Sequence, residues 1–269
     1  MVEAVRWSET MMQMDIRESA ARYYDLSPQF PDDIHFYEQN IPSPNSSILE
    51  LGCGTGRVLV PLVEKCAYVF GVDASQAMLS LCRQKLAEKA ILPSKAGVQQ
   101  GDITSLELGN QFDLIIAPFR VFQNLEKDGE VNGFFKTVRT HLSVDGTAIL
   151  NTFRPNMDPD QMRREWCTDD ERFVWEVPVD GGKVTFHDRR PRMDRKRLVL
   201  YPELIYRRYK DDELIDEVAL RISMRCYYPD ELQRLVLDEG FRVVNKWGGY
   251  AGEQYGEGPE LIIEFAPGA

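Results

Sequence analysis

The chain has 269 residues, 43% of them hydrophobic, which suffices for one large domain or one domain carrying an insert. Its formal net charge of -11 argues against a nucleic-acid partner, because phosphates are held by concentrated Lys and Arg. No apolar run approaches the roughly 20 residues of a membrane span, and Met1 to Ala20 lack the apolar core of a secretory signal.

Residues from about Glu9 to Asn40 read as two helices, the second capped by Asp32-Asp33 and buried through Ile34, Phe36 and Tyr37. Pro42-Ser43-Pro44-Asn45 then breaks the chain. From Ile48 to about Thr152 strands and helices alternate, with helices near 56–65, 75–90 and 129–141, the pattern of a parallel sheet with crossover helices. After Phe153 the pattern changes to strands at 171–178, 183–188, 197–209 and 214–227. In the last of these Val218, Leu220, Ile222, Met224 and Cys226 alternate with polar or small residues, which predicts an antiparallel sheet with one wet face. The basic run Arg189–Arg192 and Arg195–Arg197 reads as a solvated hairpin tip. A helix begins after Tyr228-Pro229-Asp230-Glu231, and 241–244 and 261–265 form the last two strands.

The stretch richest in chemistry is Glu50-Leu51-Gly52-Cys53-Gly54-Thr55-Gly56-Arg57, followed by Asp73 at the end of a second apolar run. Strand, tight turn, helix, strand and acid make the nucleoside site of an open α/β sheet. A dinucleotide needs G-x-G-x-x-G, whereas here Arg57 takes the third glycine slot and Glu50 stands at the mouth of the turn. Glu50 repels a pyrophosphate and suits a ligand with a cationic amine, while Asp73 can accept ribose hydroxyl protons from either. An NAD(P)-dependent reductase is the disfavoured alternative, and a non-catalytic protein that keeps the cofactor fold is a third.

Five segments resemble, in order and spacing, those of the class I S-adenosylmethionine-dependent methyltransferases. They are Glu50–Gly56, Val72–Ser75 with Met78, Gln100–Ile103, Phe112–Ala117 and Leu142–Leu150, and the resemblance runs from about Tyr23 to the end of the chain. It implies a Rossmann-like, doubly wound α/β fold. The seven-stranded sheet would have its last strand antiparallel, with N-terminal helices and an antiparallel β insertion after strand five. The chain would then divide into an N-terminal helical cap (1–46), a cofactor-binding domain (47–152 and 229–269) and an inserted β lid (153–228). The implied cofactor is S-adenosyl-L-methionine, with S-adenosyl-L-homocysteine as product. Its implied contacts are Glu50, Gly52, Cys53, Gly54, Gly56, Asp73, Ala74, Met78, Asp102, Ile103, Ala117 and Phe119, with Asp102 on the adenine amine.

The implied acceptor is an amine or hydroxyl of a small molecule, as in the similar glycine-type and amino-sugar N-methyltransferases. Ala117-Pro118-Phe119-Arg120 departs from the Asn/Asp-Pro-Pro-aromatic motif of enzymes that methylate nucleic-acid or protein amides. Arg120 either holds an acceptor carboxylate or phosphate or is a solvent-facing arginine at a helix start. Tyr23 and Tyr24 either close over the cofactor or pack the first helix, and Asn124 follows in the same post-strand segment. Tyr206 either stacks on the acceptor or packs the inserted sheet. In-line methyl transfer needs alignment and exclusion of water more than a dedicated base, so no catalytic residue is legible. The unspaced cysteines Cys53, Cys66, Cys82, Cys167 and Cys226 suggest reduced thiols and a cytoplasmic setting. His35, His141 and His187 are too far apart to suggest a metal site. A monomer or homodimer is expected.

Overall fold

The run Ser47–Leu51 (β1) is buried from Ile48 onward, as a strand covered on both faces should be. The computed structural model describes residues 18–268, so part of the expected first helix, 9–17, lies outside the described residues. β1 pairs in parallel with β2 (Tyr68–Asp73) on one side and with β4 (Phe112–Ala117) on the other. β3 (Ala96–Gln100) extends the sheet beyond β2, and β5 (Leu142–Phe153) beyond β4. The antiparallel β12 (Glu260–Pro267) lies between β5 and β11 (Phe241–Trp247). The order β11-β12-β5-β4-β1-β2-β3 is the expected seven-stranded sheet with its last strand reversed. The strand order reverses between the parallel β1 and β4, and at such a switch point a crevice opens at the carboxyl ends of the strands.

Helices cover both faces. On one, α5 (Asp128–His141) and α7 (Pro229–Asp238) bury Phe134, Phe135, Leu232 and Val236. On the other, α2 (Ile34–Gln39), α3 (Leu59–Leu62) and α4 (Gln76–Glu88) bury Tyr37, Leu59, Leu79 and Cys82. A further helical turn, α1, occupies 18–24. His141 is a packing histidine: Nε2 accepts from the Leu108 amide at 2.9 Å and Nδ1 meets the Thr137 carbonyl at 2.8 Å. Among the described residues no helix is long and apolar enough to cross a membrane.

Two helix expectations are corrected. The helix expected at 56–65 shrinks to Leu59–Leu62. Pro61 offers no N–H to the Arg57 carbonyl, and the bonding tightens to Val63 N–H on the Val60 carbonyl. Asp33 does precede α2, but its side chain makes no capping bond; its carboxylate is taken by Arg57.

The residues after β5 form a second, antiparallel sheet. β6 (Thr168–Val179), β7 (Gly182–Asp194) and β8 (Val199–Lys210) follow one another, with β9 (Glu213–Arg221) and β10 (Met224–Arg225) along the outer side of β8. The strand expected at 214–227 is therefore two, parted at Ile222-Ser223, where the Ile222 amide turns to the Pro202 carbonyl. The basic run is also corrected. Arg189–Arg192 belongs to β7, where Arg189 lies opposite Glu203 and is paired with it. The tip is confined to 195–198, where Asp194 Oδ1 accepts from the Lys196 and Arg197 amides. A helix the sequence reading omits, α6 (Pro159–Glu165), is capped by Asp158 with proline in its first turn. The inner face of the second sheet buries Trp175, Val184, Tyr206, Val218 and Leu220 against Ala20 and Tyr23 of α1.

Candidate functional site

The glycine-rich turn leaves β1 at the switch point, held by the adjacent strand. The amides of Gly52 and Cys53 both donate to the Val72 carbonyl, at 2.7 and 3.0 Å. The amide of Gly54 donates to Asp73 Oδ2 at 2.8 Å, and that of Ser75 to Asp73 Oδ1 at 2.8 Å. Gly52 has φ +77°, and a Cβ there would lie 2.2 Å from a Val121 methyl carbon. At Gly54 (φ +52°) a Cβ would meet nothing within 4 Å, so this backbone faces open space. A pocket opens there, walled by Tyr24, Glu50, Cys53, Arg57, Phe119 and Val121 together with the two glycines.

Glu50 ends the wall at the base of the pocket. It is 2% exposed, and its Oε2 has no hydrogen-bond partner among the described residues. Burial pushes its carboxyl well above the usual carboxylate range, with Cys82 adding to the rise and Arg57 opposing it. Arg57 forks onto Asp33, with bonds of 2.5 and 2.7 Å, and Asp33 is fully buried. The guanidinium lies over the rings of Phe30 and Phe119, at 4.9 and 5.1 Å. Burial works against its charge, but Asp33 outweighs burial and holds its pKa above the ordinary arginine value. The neighbouring Cys82 thiol and burial push the Cys53 thiol up.

Beyond β4, Phe119 (φ 52°) and Arg120 (φ 67°) are consecutive non-glycine residues in the left-handed region. That conformation is strained. It is held by the Arg120 amide, which donates to Asn151 Oδ1 at 2.7 Å, and by the rings of Tyr24 and Phe30 against Phe119. The Arg120 guanidinium pairs with buried Glu260 at 2.5 Å, and Asn151 Nδ2 donates to the same carboxylate at 2.8 Å.

The N-terminal segment ties the site together. Asp25 accepts from Thr55 of the turn at 2.7 Å and pairs with Lys85 of α4 at 2.7 Å. Glu18 accepts from the Ser75 hydroxyl and the Ala77 amide at the start of α4. Tyr23 stacks on Tyr206 with ring centroids 5.7 Å apart, and its hydroxyl donates to Asp216.

Glu50, Gly52, Cys53, Gly54 and Phe119 thus share one pocket. Ala117 is buried at the end of β4, and Gly56 packs against Cys82. Asp73, Ala74 and Met78 stand at the β2–α4 junction beside the turn. Asp102 and Ile103 lie next to them, because the Gly101 amide donates to the Asp73 carbonyl. Asp102 is exposed, and its Oδ1 accepts from the Thr104 amide and hydroxyl.

Of the acceptor candidates, none lines this pocket. Tyr23 and Tyr206 are buried between α1 and the second sheet, where burial raises the Tyr206 phenol to about 12. Arg120 is committed to Glu260, and the Asn124 amide closes the turn Val121–Asn124 by donating to the Arg120 and Val121 carbonyls. Sequence reasoning misses the roles of Asp33, Phe30 and Val121. An acid and a ring shortly before the sheet, with an arginine in the turn, were the available signal.

Residues 48–146 match the family model described as a methyltransferase domain. Over 249 residues, 88% of this chain and 91% of the relative, the sequence is 23% identical to a cypemycin N-terminal methyltransferase of a Streptomyces species. It is 25% identical to the dTDP-3-amino-3,4,6-trideoxy-alpha-D-glucopyranose N,N-dimethyltransferase of Streptomyces venezuelae, across 46% of this chain and 48% of that enzyme. The CcbJ methyltransferase of Streptomyces caelestis shares the fold, with a TM-score of 0.77 at 20% identity, covering 96% of this chain and 99% of that one. Residues 48–146 thus form a methyltransferase domain, and the chain is similar over most of its length to S-adenosylmethionine-dependent methyltransferases.

A methyltransferase domain implies S-adenosylmethionine as the cofactor. The residues present fit that group. Among the described residues a buried carboxylate oxygen of Glu50 lacks a partner, the Gly54 backbone is open, and Asp73 ends β2 beside the turn, bonded to the Gly54 amide.

Proposed function

We propose that this methyltransferase moves the methyl group of S-adenosyl-L-methionine to an amine of a small molecule, an amino sugar foremost, leaving S-adenosyl-L-homocysteine. The observation that carries the reading is the partnerless Glu50 oxygen in the pocket beside the open turn. A cationic ligand is what that oxygen lacks. A pyrophosphate would meet it with like charge. Nitrogen as the acceptor atom is supported by the two relatives, one named an N-terminal methyltransferase and one an N,N-dimethyltransferase of an amino sugar.

In this reading Glu50 receives the cofactor's amine and Asp73 its ribose hydroxyls. Gly52, Cys53, Gly54, Gly56, Ala117 and Phe119 shape the rest of the turn side. Ala74, Met78, Asp102 and Ile103 form the adenine end. The second sheet, 153–228, is a lid on the acceptor, and Tyr23 and Tyr206 fix its position through their stack. Arg120 and Asn124 shape the acceptor wall. The cofactor supplies an activated carbon when bound. The chain contributes alignment and exclusion of water, and alignment alone is worth on the order of 7–11 kcal/mol.

Incubating the protein with methyl-labelled cofactor and a metabolite extract should give a labelled amine. Micromolar binding of NADH, without binding of S-adenosylhomocysteine, would overturn the reading. Asp73→Ala should weaken cofactor binding by about 1–3 kcal/mol, the cost of hydrogen bonds to a charged group. Unchanged affinity in the folded variant, measured by calorimetry, removes Asp73 from the ribose site.

A further inference from the structure

The chain carries a net charge of -11, yet a second pocket in it is ringed by cations. This pocket opens where α6, the tip at 195–198 and the first turn of α7 meet, and it shares no lining residue with the pocket at the glycine turn. Four cations line it: Arg163 from α6, Lys196 and Arg197 from the tip, and Arg225 from β10. Two carboxylates stand among them, and both are engaged. Asp128 accepts from Arg225 at 2.7 Å, and Glu231 accepts from the Tyr228 amide at 3.3 Å, at the start of its own helix. Arg163 is matched by Asp160 at 2.8 Å.

Lys196 and Arg197 are left over. Among the described residues neither has a carboxylate partner, and the Arg197 guanidinium donates to the Glu126 carbonyl at 2.6 Å. Arg225 adds a further unanswered donor, because its Nε is buried with no hydrogen-bond partner among the described residues. A buried N–H without an acceptor is costly, and an anion would bring the acceptors that this wall lacks.

The backbone that carries these groups is fixed. Arg163 Nε donates to the Arg195 carbonyl at 3.0 Å and Arg195 Nε to the Arg163 carbonyl at 2.9 Å, which clamps α6 to the tip. Asp194 Oδ1 accepts from the Lys196 and Arg197 amides, and Gln123 Nε2 donates to the Arg225 carbonyl at 2.9 Å. Such anchoring reduces what binding costs in ordering the site.

We propose that this pocket is a second ligand site, which takes the phosphate group of a small molecule on Lys196 and Arg197, flanked by Arg163 and Arg225. A phosphate offers several acceptor oxygens and more than one negative charge, so it can answer a guanidinium fork and an ammonium together. No covalent bond changes there.

The test is titration calorimetry of the full chain with inorganic phosphate and with a nucleoside diphosphate. Binding of the diphosphate, alone or more tightly, assigns the site to a phosphate ester, and binding of inorganic phosphate alone assigns it to the free ion. Lys196→Gln and Arg197→Gln, both at exposed positions, should each raise the Kd by about tenfold, the worth of a hydrogen bond to a charged group. Lys196→Arg, which keeps the charge, should stay close to the parent. The Lys196 side chain makes no bond among the described residues, so Lys196→Gln should keep the parent's urea midpoint. Saturating S-adenosylhomocysteine should not displace either probe. Failure of both probes to bind at millimolar concentration overturns the proposal, as does a Kd unmoved in both glutamine variants. Displacement by S-adenosylhomocysteine would put the anion in the pocket at the glycine turn and overturn it equally.

Discussion

Asp33→Ala should lower the stability of the fold by about 3–5 kcal/mol, the cost of leaving a buried charge without its partner. Asp33 is fully buried, and the Arg57 side chain is only 13% exposed. Truncation would leave a guanidinium between the Phe30 and Phe119 rings with its fork empty. It would also remove the charge that shields Glu50 from having Arg57 to itself, so the pocket would change along with the stability. A urea titration should show a lower midpoint at unchanged slope. Asp33→Asn, which keeps the shape but not the charge, should lose most of the same amount. A loss below about 1 kcal/mol would place the pair with exposed ion pairs and end its role as the anchor of the turn.

Gly52→Ala should be the next most damaging change. The added carbon would lie 2.2 Å from a Val121 methyl carbon, on a backbone with φ +77°. Overpacking costs about 1–3 kcal/mol, and the left-handed conformation roughly 1–2 kcal/mol more for a residue with a Cβ. Val121 would be driven off, and with it the turn Val121–Asn124 that completes the pocket. Cofactor affinity should fall together with stability, measured by calorimetry and by denaturation. A variant within about 0.5 kcal/mol of the parent, binding cofactor normally, would show that Val121 yields freely and that the glycine is dispensable.

The sheet was legible because its strands carry their burial in the sequence. Ile48–Leu51, interrupted only by Glu50, and Leu114–Ala117 are apolar runs, and both prove buried along their length. Val218 and Leu220 alternate with polar neighbours, and both face inward. What failed was set by partners far away in sequence. The arginines of 189–192 look like a solvated tip until Glu203 is seen opposite Arg189. Asp33 has the look of a cap, but Arg57, 24 residues on, offers two strong bonds where a cap would have one. The shortening of α3 was local and readable from Pro61. In the site, the turn and its acids could be found from spacing alone. The rings of Tyr24, Phe30 and Phe119 could not, because no periodicity relates them.

Tyr23 meets Asp216 across 193 residues of chain, and Arg22 meets it across 194. Tyr24, the next residue, is one wall of the pocket. The glycine turn can form as soon as β1 and β2 pair, but this wall waits until β8 and β9 exist to receive α1. Closing so long a loop comes late in any folding sequence. Disturbing the second sheet should therefore loosen the pocket through Tyr24, although that sheet supplies none of its lining.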